Sequence, residues 1–146
     1  MTPLPRVAGV DYGDRRVGIA LADPLRLFAR PVGTFAPGEA LRELARMVAE
    51  DGVGVIVVGW PLTDDGEEAA AVDRVRPFLG RLRKGAAGAE VVVQDERDSS
   101  RRALGDLVAA GASRKRRRDK GTLDAAAACV ILQDWLDEHG DGPGEG

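Results

Sequence analysis

Three acidic stretches stand out in this chain of 146 residues. Asp11 lies in "GVDYGDRRVG", an apolar run that breaks into a glycine-bounded turn. Asp95 and Glu96 close "VVVQDE", and Asp124 stands near the start of "LDAAAACVIL". A carboxylate buried among apolar residues is costly unless something pairs with it. Carboxylates brought together repel unless a cation sits between them, and ligation by oxygen alone suits Mg²⁺ or Mn²⁺. Such a centre can activate water and stabilise the leaving oxygen of a phosphodiester under hydrolysis. Each acid also has an ordinary structural role open to it. Asp11 with Gly13 suits a turn. Asp95, Glu96, Asp98 and Asp124 suit loops and helix starts, where the helix dipole favours acids. Convergence in space is what separates the two readings.

The net charge is only −3, but it is unevenly spread. Residues 97–120 hold nine Lys/Arg against three acids, a balance of +6, whereas residues 121–146 hold six acids and no Lys or Arg. The run Arg114, Lys115, Arg116, Arg117 and Arg118, with Lys120, is expected to contact backbone phosphates of a nucleic acid, which gives salt-dependent affinity without reading sequence. Its ordinary alternative is a solvated charged loop. His139 is the only histidine and Cys129 the only cysteine. A histidine-based nucleophilic triad, a zinc site and an intramolecular disulfide are therefore not expected. Cys129, inside "AAAACVIL", reads as a buried structural thiol. Ser99 and Ser100 read as helix-start residues. Trp60 suits either stacking on a base or the core.

Those residues must be positioned by a core, and the chain is long enough for one domain. Hydrophobic residues at 44% and charged residues at 31% describe a soluble globular protein. No apolar stretch is long enough to span a bilayer, and the first residues lack the pattern of a secretory leader, so a cytoplasmic protein with no membrane partner is expected. Residues 6–12, 16–22 and 27–35 read as strands, then 36–51 as a helix with Leu41, Leu44, Ala45, Val48 and Ala49 on its apolar face. "VGVIVVG" at 53–59 reads as a strand buried on both faces. A helix over 67–84 aligns Val72, Val75, Leu79 and Leu82, with a kink or break expected at Pro77. A strand over 89–94, a helix over 98–111, a basic loop and a last helix over 122–138 follow, and 139–146 reads as a disordered tail. Three successive strands suggest an antiparallel meander, and the later alternation suggests parallel strands with crossover helices. The fold class is therefore α/β, with a mixed sheet flanked by helices in a single domain over 1–138. Strand alternation puts Val7, Gly9 and Asp11 on one face. The last helix should turn Asp124, in its first turn, inward with Ala127, Ala128 and Ile131.

With these residues in view, the chain resembles the YqgF (RuvX) family, Holliday-junction-resolvase-like proteins proposed to be pre-16S rRNA nucleases. The resemblance rests on four stretches in order: "GVDYGDRRVGIALAD", "VVGWPLTDDG", "QDERDSSRRA" and "TLDAAAACVILQDWL". It implies an RNase H-like fold and a metal-dependent nuclease. The family's acidic triad falls on Asp11, Glu96 and Asp124, holding Mg²⁺ or Mn²⁺. Arg16 and Arg97 match basic residues that contact phosphate or orient the acids. Two positions depart from the family pattern: "DER" continues with Asp98, Ser99 and Ser100, and the first motif ends in Ala22-Asp23. Neither touches a ligand the resemblance implies. The implied substrate is pre-16S rRNA, with branched DNA as the alternative, acted on by a monomer or a homodimer. Two other classes are weighed against this one. "DYGDRRVG" is similar to the first phosphate loop of actin-like ATPases, but the second phosphate loop they need is not found. A non-catalytic RNA-binding protein would keep the basic run without needing three acids.

Overall fold

The apolar run at 53–59 forms a strand paired on both sides, parallel to the first strand of the chain and to the last. The computed structural model describes residues 4–13, 15–60, 68–95 and 120–139, with the side chains of 60, 68–72, 95 and 120–124 outside that description. In chain order the elements are β1 (Arg6–Tyr12), β2 (Val17–Ala22), β3 (Ala29–Phe35), α1 (Pro37–Glu50), β4 (Val53–Trp60), α2 (Glu68–Gly85), β5 (Glu90–Asp95) and α3 (Lys120–His139). They build one five-stranded sheet in the order β3-β2-β1-β4-β5. The first three strands pair antiparallel, whereas β1 with β4 and β4 with β5 pair parallel. This is the expected mixed sheet. The expected helix over 98–111 lies outside the described residues, as do 140–146; His139 itself still belongs to α3.

The sheet separates two cores. On one face Ala8, Val10, Val17, Ile19 and Leu21 pack with Ala40, Leu44 and Met47 of α1 and with Val75, Phe78, Leu79 and Leu82 of α2. On the other, Val7, Ala20, Ala22 and Val57 pack with Ala128, Ile131, Leu132 and Leu136 of α3. Strand alternation in β1 and β2 follows directly, because odd and even positions fall into different cores. Two expectations need correction. The buried stripe of α1 is Ala40, Leu44 and Met47, with Leu41 and Val48 at its margin and Ala49 exposed. Of the kink or break expected at Pro77, the break does not occur: α2 is continuous through it. That proline is exposed, so the carbonyl deprived of its partner faces water, while the four buried side chains around it hold the helix to the sheet.

The turn between β2 and β3 anchors the far end of α3. The Asp23 carboxylate accepts bonds from the backbone N–H groups of Leu25 (3.0 Å), Leu27 (2.8 Å) and Phe28 (2.7 Å). Those bonds take Leu27 and Phe28 out of the ladder, so β3 starts at Ala29 rather than at 27. Arg26, at φ 60°, donates to the Pro5 carbonyl at 2.7 and 2.9 Å. Gln133 of α3 then clamps the turn, accepting from Ala29 N–H at 3.0 Å and donating to the Leu27 carbonyl at 3.0 Å. The Phe28 N–H, with those of Leu27 and Leu25, holds the Asp23 carboxyl below its usual range. A depressed carboxyl contributes stability above its unfolded value of about 4, lost as pH falls through the folded value. Asp23→Asn should therefore cost about 1 kcal/mol in urea unfolding at neutral pH. The gap to wild type should narrow as the medium is acidified below about pH 4. A gap that stays constant with pH would show that the carboxylate's charge is not what holds the turn.

Candidate active site

Asp11 is the penultimate residue of β1, half-buried and on the α3 face of the sheet, where Val7 and Gly9 precede it. Its neighbours on that face are two glycines. Gly18 of β2 is its partner across the antiparallel ladder. Gly59 of β4 follows Val58, the partner of Val10, and so stands level with Asp11 on the other side. Both are buried. The strand therefore presents a carboxylate on a strip of sheet with no side chain on either flank. Behind it the chain reverses through Gly13, where a Cβ would stand 2.7 Å from the Arg16 carbonyl oxygen. Arg16, exposed, lies at the end of that reversal, and both it and Asp11 are engaged by other groups.

Because β1, β4 and β5 run the same way, their carboxyl ends share one edge of the sheet. Gln94 pairs with Gly59 and is level with Asp11, two strand spacings or about 9.6 Å away. Asp95 is the last residue of β5, and Glu96 and Arg97 follow outside the described residues, as do Arg114, Lys115, Arg116, Arg117 and Arg118. Asp124 and Lys120 sit on the first turns of α3.

Helix α3 is drawn onto β1 by absence of bulk. A Cβ at Gly9 would stand 2.6 Å from Leu132 Cβ and 2.9 Å from the Ala128 carbonyl oxygen, so the helix backbone rests directly on the strand. Ala127, Ala128 and Ile131, the residues expected to share the Asp124 face, are all fully buried. Asp124 is one turn, about 6 Å of rise, before Ala128. From its seat on Gly9 the helix reaches to both sides: Gln133 bonds Leu27 and Ala29, and Glu138 accepts from Gln94 of β5 at 3.5 Å. One expectation is corrected here: α3 starts at Lys120, so Asp124 is its fifth residue and no acid lies in its first turn. Gly121 weakens a helix by about 1 kcal/mol, which the packing of the alanine-rich face outweighs. The dipole role open to Asp124 fades with that shift, since the effect falls off within the first turn.

Oxygen donors from β1, from the segment after β5 and from α3 would together suit a hard divalent cation. Among the described residues no three such side chains form a metal cluster, Glu96 and the Asp124 side chain lying outside them. Cys129 belongs to the core beneath; burial pushes its thiol up to about 12, so it stays protonated and unreactive. Sequence reasoning missed the roles of Gly9, Gly18 and Gln133. A signal existed for the glycines, since a glycine inside a strand often marks close approach of a backbone or a ligand.

The family model described as "RuvX: Holliday junction resolvase" matches residues 5–138. This chain belongs to the RuvX family. RuvX relatives named "Putative pre-16S rRNA nuclease" include one from Salinibacter ruber, 50% identical over 135 residues, covering 92% of this chain and 94% of the relative. Another, from Chlorobaculum tepidum, is 46% identical over 134 residues, with 92% and 94% covered. The RuvX fold is also that of Thermus thermophilus RuvC in complex with a Holliday junction substrate, at TM-score 0.57 and 16% identity, with 95% of this chain and 98% of that one covered. Among the described residues no helix is long and apolar enough to cross a membrane.

Proposed function

We propose that this protein is a metal-dependent nuclease of the cytoplasm that hydrolyses phosphodiester bonds in structured nucleic acid, processing the 5′ end of pre-16S rRNA in ribosome biogenesis. The observation that carries this is the Asp11 carboxylate held at the shared carboxyl edge between Gly18 and Gly59, in a chain whose relatives bear the nuclease name. Asp11, Glu96 and Asp124 would hold Mg²⁺ or Mn²⁺. Gln94 shares the Asp11 face, and Glu96 follows the end of β5 in the chain. When bound, the cation supplies charge neutralisation at the scissile phosphate and a more acidic water. The chain's own contribution is to hold the carboxylates on rigid elements and to position the phosphates. Arg16 and Arg97 would grip those near the site, and Arg114, Lys115, Arg116, Arg117, Arg118 and Lys120 those beyond it.

The test is cleavage of a labelled small-subunit rRNA precursor and of a four-way DNA junction, each in Mg²⁺, in Mn²⁺ and in chelator. The expected outcome is cut RNA in either metal and none in chelator. Cleavage of the junction alone would transfer the assignment to branched DNA. Cleavage that persists in chelator would remove the metal from the mechanism.

A further inference from the structure

Helix α2 carries five cations within thirteen residues. Between 73 and 85, Arg74, Arg76, Arg81, Arg83 and Lys84 stand against the single acid Asp73, a local charge of +4 in a chain of net charge −3. All five are exposed, away from the side that buries Val75, Phe78, Leu79 and Leu82. At 100° per residue, Arg74, Arg81 and Lys84 line one flank of the outer face, and Arg76 and Arg83 the other. The adjacent helix α1 handles its charge differently. There Arg46 is tied to Glu43 at 2.7 Å, to Asp51 at 3.2 Å and to Glu50 at 3.9 Å. On α2, Arg76, Arg81, Arg83 and Lys84 have no hydrogen bond or ion pair among the described residues. The helix dipole favours cations in the last turn, which accounts for Arg83 and Lys84 but not for Arg76 or Arg81. Unneutralised like charges on one face repel, and a polyanion laid along them relieves that repulsion.

Placement selects the polyanion. Helix α2 starts after the carboxyl end of β4 and returns to the amino end of β5, so its first turns lie at the edge that carries Asp11. From Arg76 to Lys84 the stripe runs about 12 Å down the molecule. Phosphates on one strand of a duplex recur about every 3.4 Å along its axis, so the stripe spans roughly four of them. A nucleic acid crossing the carboxyl edge at Asp11 thus meets α2 on the opposite face of the sheet. We propose that the outer face of α2 is a second phosphate-binding surface, which grips the substrate nucleic acid away from the point of cleavage. This rests on the nuclease reading above and adds to it a requirement for substrate length.

The test replaces Arg76, Arg81, Arg83 and Lys84 by glutamine together in the full chain. Binding is measured in the Asp11→Asn background, so that no RNA is cut, against salt concentration. Two probes are used: the long rRNA precursor and a short oligoribonucleotide carrying only the cleavage site. Each lost phosphate contact removes about 0.7–0.9 from the slope of log affinity against log salt, so the slope on the long RNA should shrink by about 3. Binding of the short RNA should stay as in the Asp11→Asn parent, and its cleavage by the fourfold variant with Asp11 intact should stay as in wild type. A companion variant with Arg76, Arg81 and Arg83 changed to lysine keeps the charge and should restore the slope. An unchanged slope on the long RNA, or equal losses on both probes, overturns the proposal while leaving the nuclease reading intact. If the unaltered protein neither binds nor cuts the long RNA, both fall together.

Discussion

Asp11→Asn should abolish metal-dependent cleavage while leaving the fold in place. Asparagine keeps the shape of aspartate and removes the charge. The position is half-buried beside Gly18, with no side chain on that flank to repack. Loss of at least about a hundredfold in turnover is expected, about 2.7 kcal/mol of barrier at 1.36 kcal/mol per tenfold. A second readout does not depend on activity. A cation that binds only the folded state raises stability, by about 2.7 kcal/mol at a hundred times its dissociation constant. Added Mg²⁺ or Mn²⁺ should therefore raise the unfolding temperature of the wild type and leave that of Asp11→Asn unmoved. A variant that cuts normally, or that still gains stability from the metal, would exclude Asp11 as a ligand.

Gly9→Ala should damage both the fold and the activity. The new Cβ would stand 2.6 Å from Leu132 Cβ and 2.9 Å from the Ala128 carbonyl oxygen. Neither is the tip of a flexible side chain, so the helix itself must shift. Overpacking of this kind costs about 1–3 kcal/mol. For a chain of this size that lowers the unfolding temperature by about 3 °C per kcal/mol. Activity should fall further than stability accounts for, because the same helix carries Asp124. A displacement of about 1 Å in a catalytic group can cost about a hundredfold. A folded Gly9→Ala protein, assayed well below its unfolding temperature, should thus show a low turnover that extra metal does not restore. Adding Leu132→Gly removes the Cβ that the new methyl group would meet, so the pair should cost less than the sum of the singles. Strict additivity would mean that the contact with Leu132 does not produce the loss.

Much of this protein was legible in its sequence, and for local reasons. The strands at 6–12 and 53–59 follow from β-branched runs, and α1 and α2 from apolar residues spaced at three and four. The face shared by Asp11, Gly9 and Val7 follows from alternation alone. Where local rules failed, a contact between distant segments had intervened. Strand β3 starts late because Asp23 takes the N–H groups of Leu27 and Phe28. Helix α2 passes through Pro77 because the core holds its other face.

By itself the sequence determined the element types, the carboxylate on the first strand and the family, since these depend on residue type and on spacing along the chain. Tertiary structure alone decided what Asp11 stands beside. The pairing of β1 with both β2 and β4 sets Gly18 and Gly59 on its flanks. The seating of Ala128 and Leu132 on Gly9 fixes α3 against the strand that carries Asp11. Those neighbours lie at separations along the chain that no local pattern encodes, and only packing a helix onto a sheet brings them together.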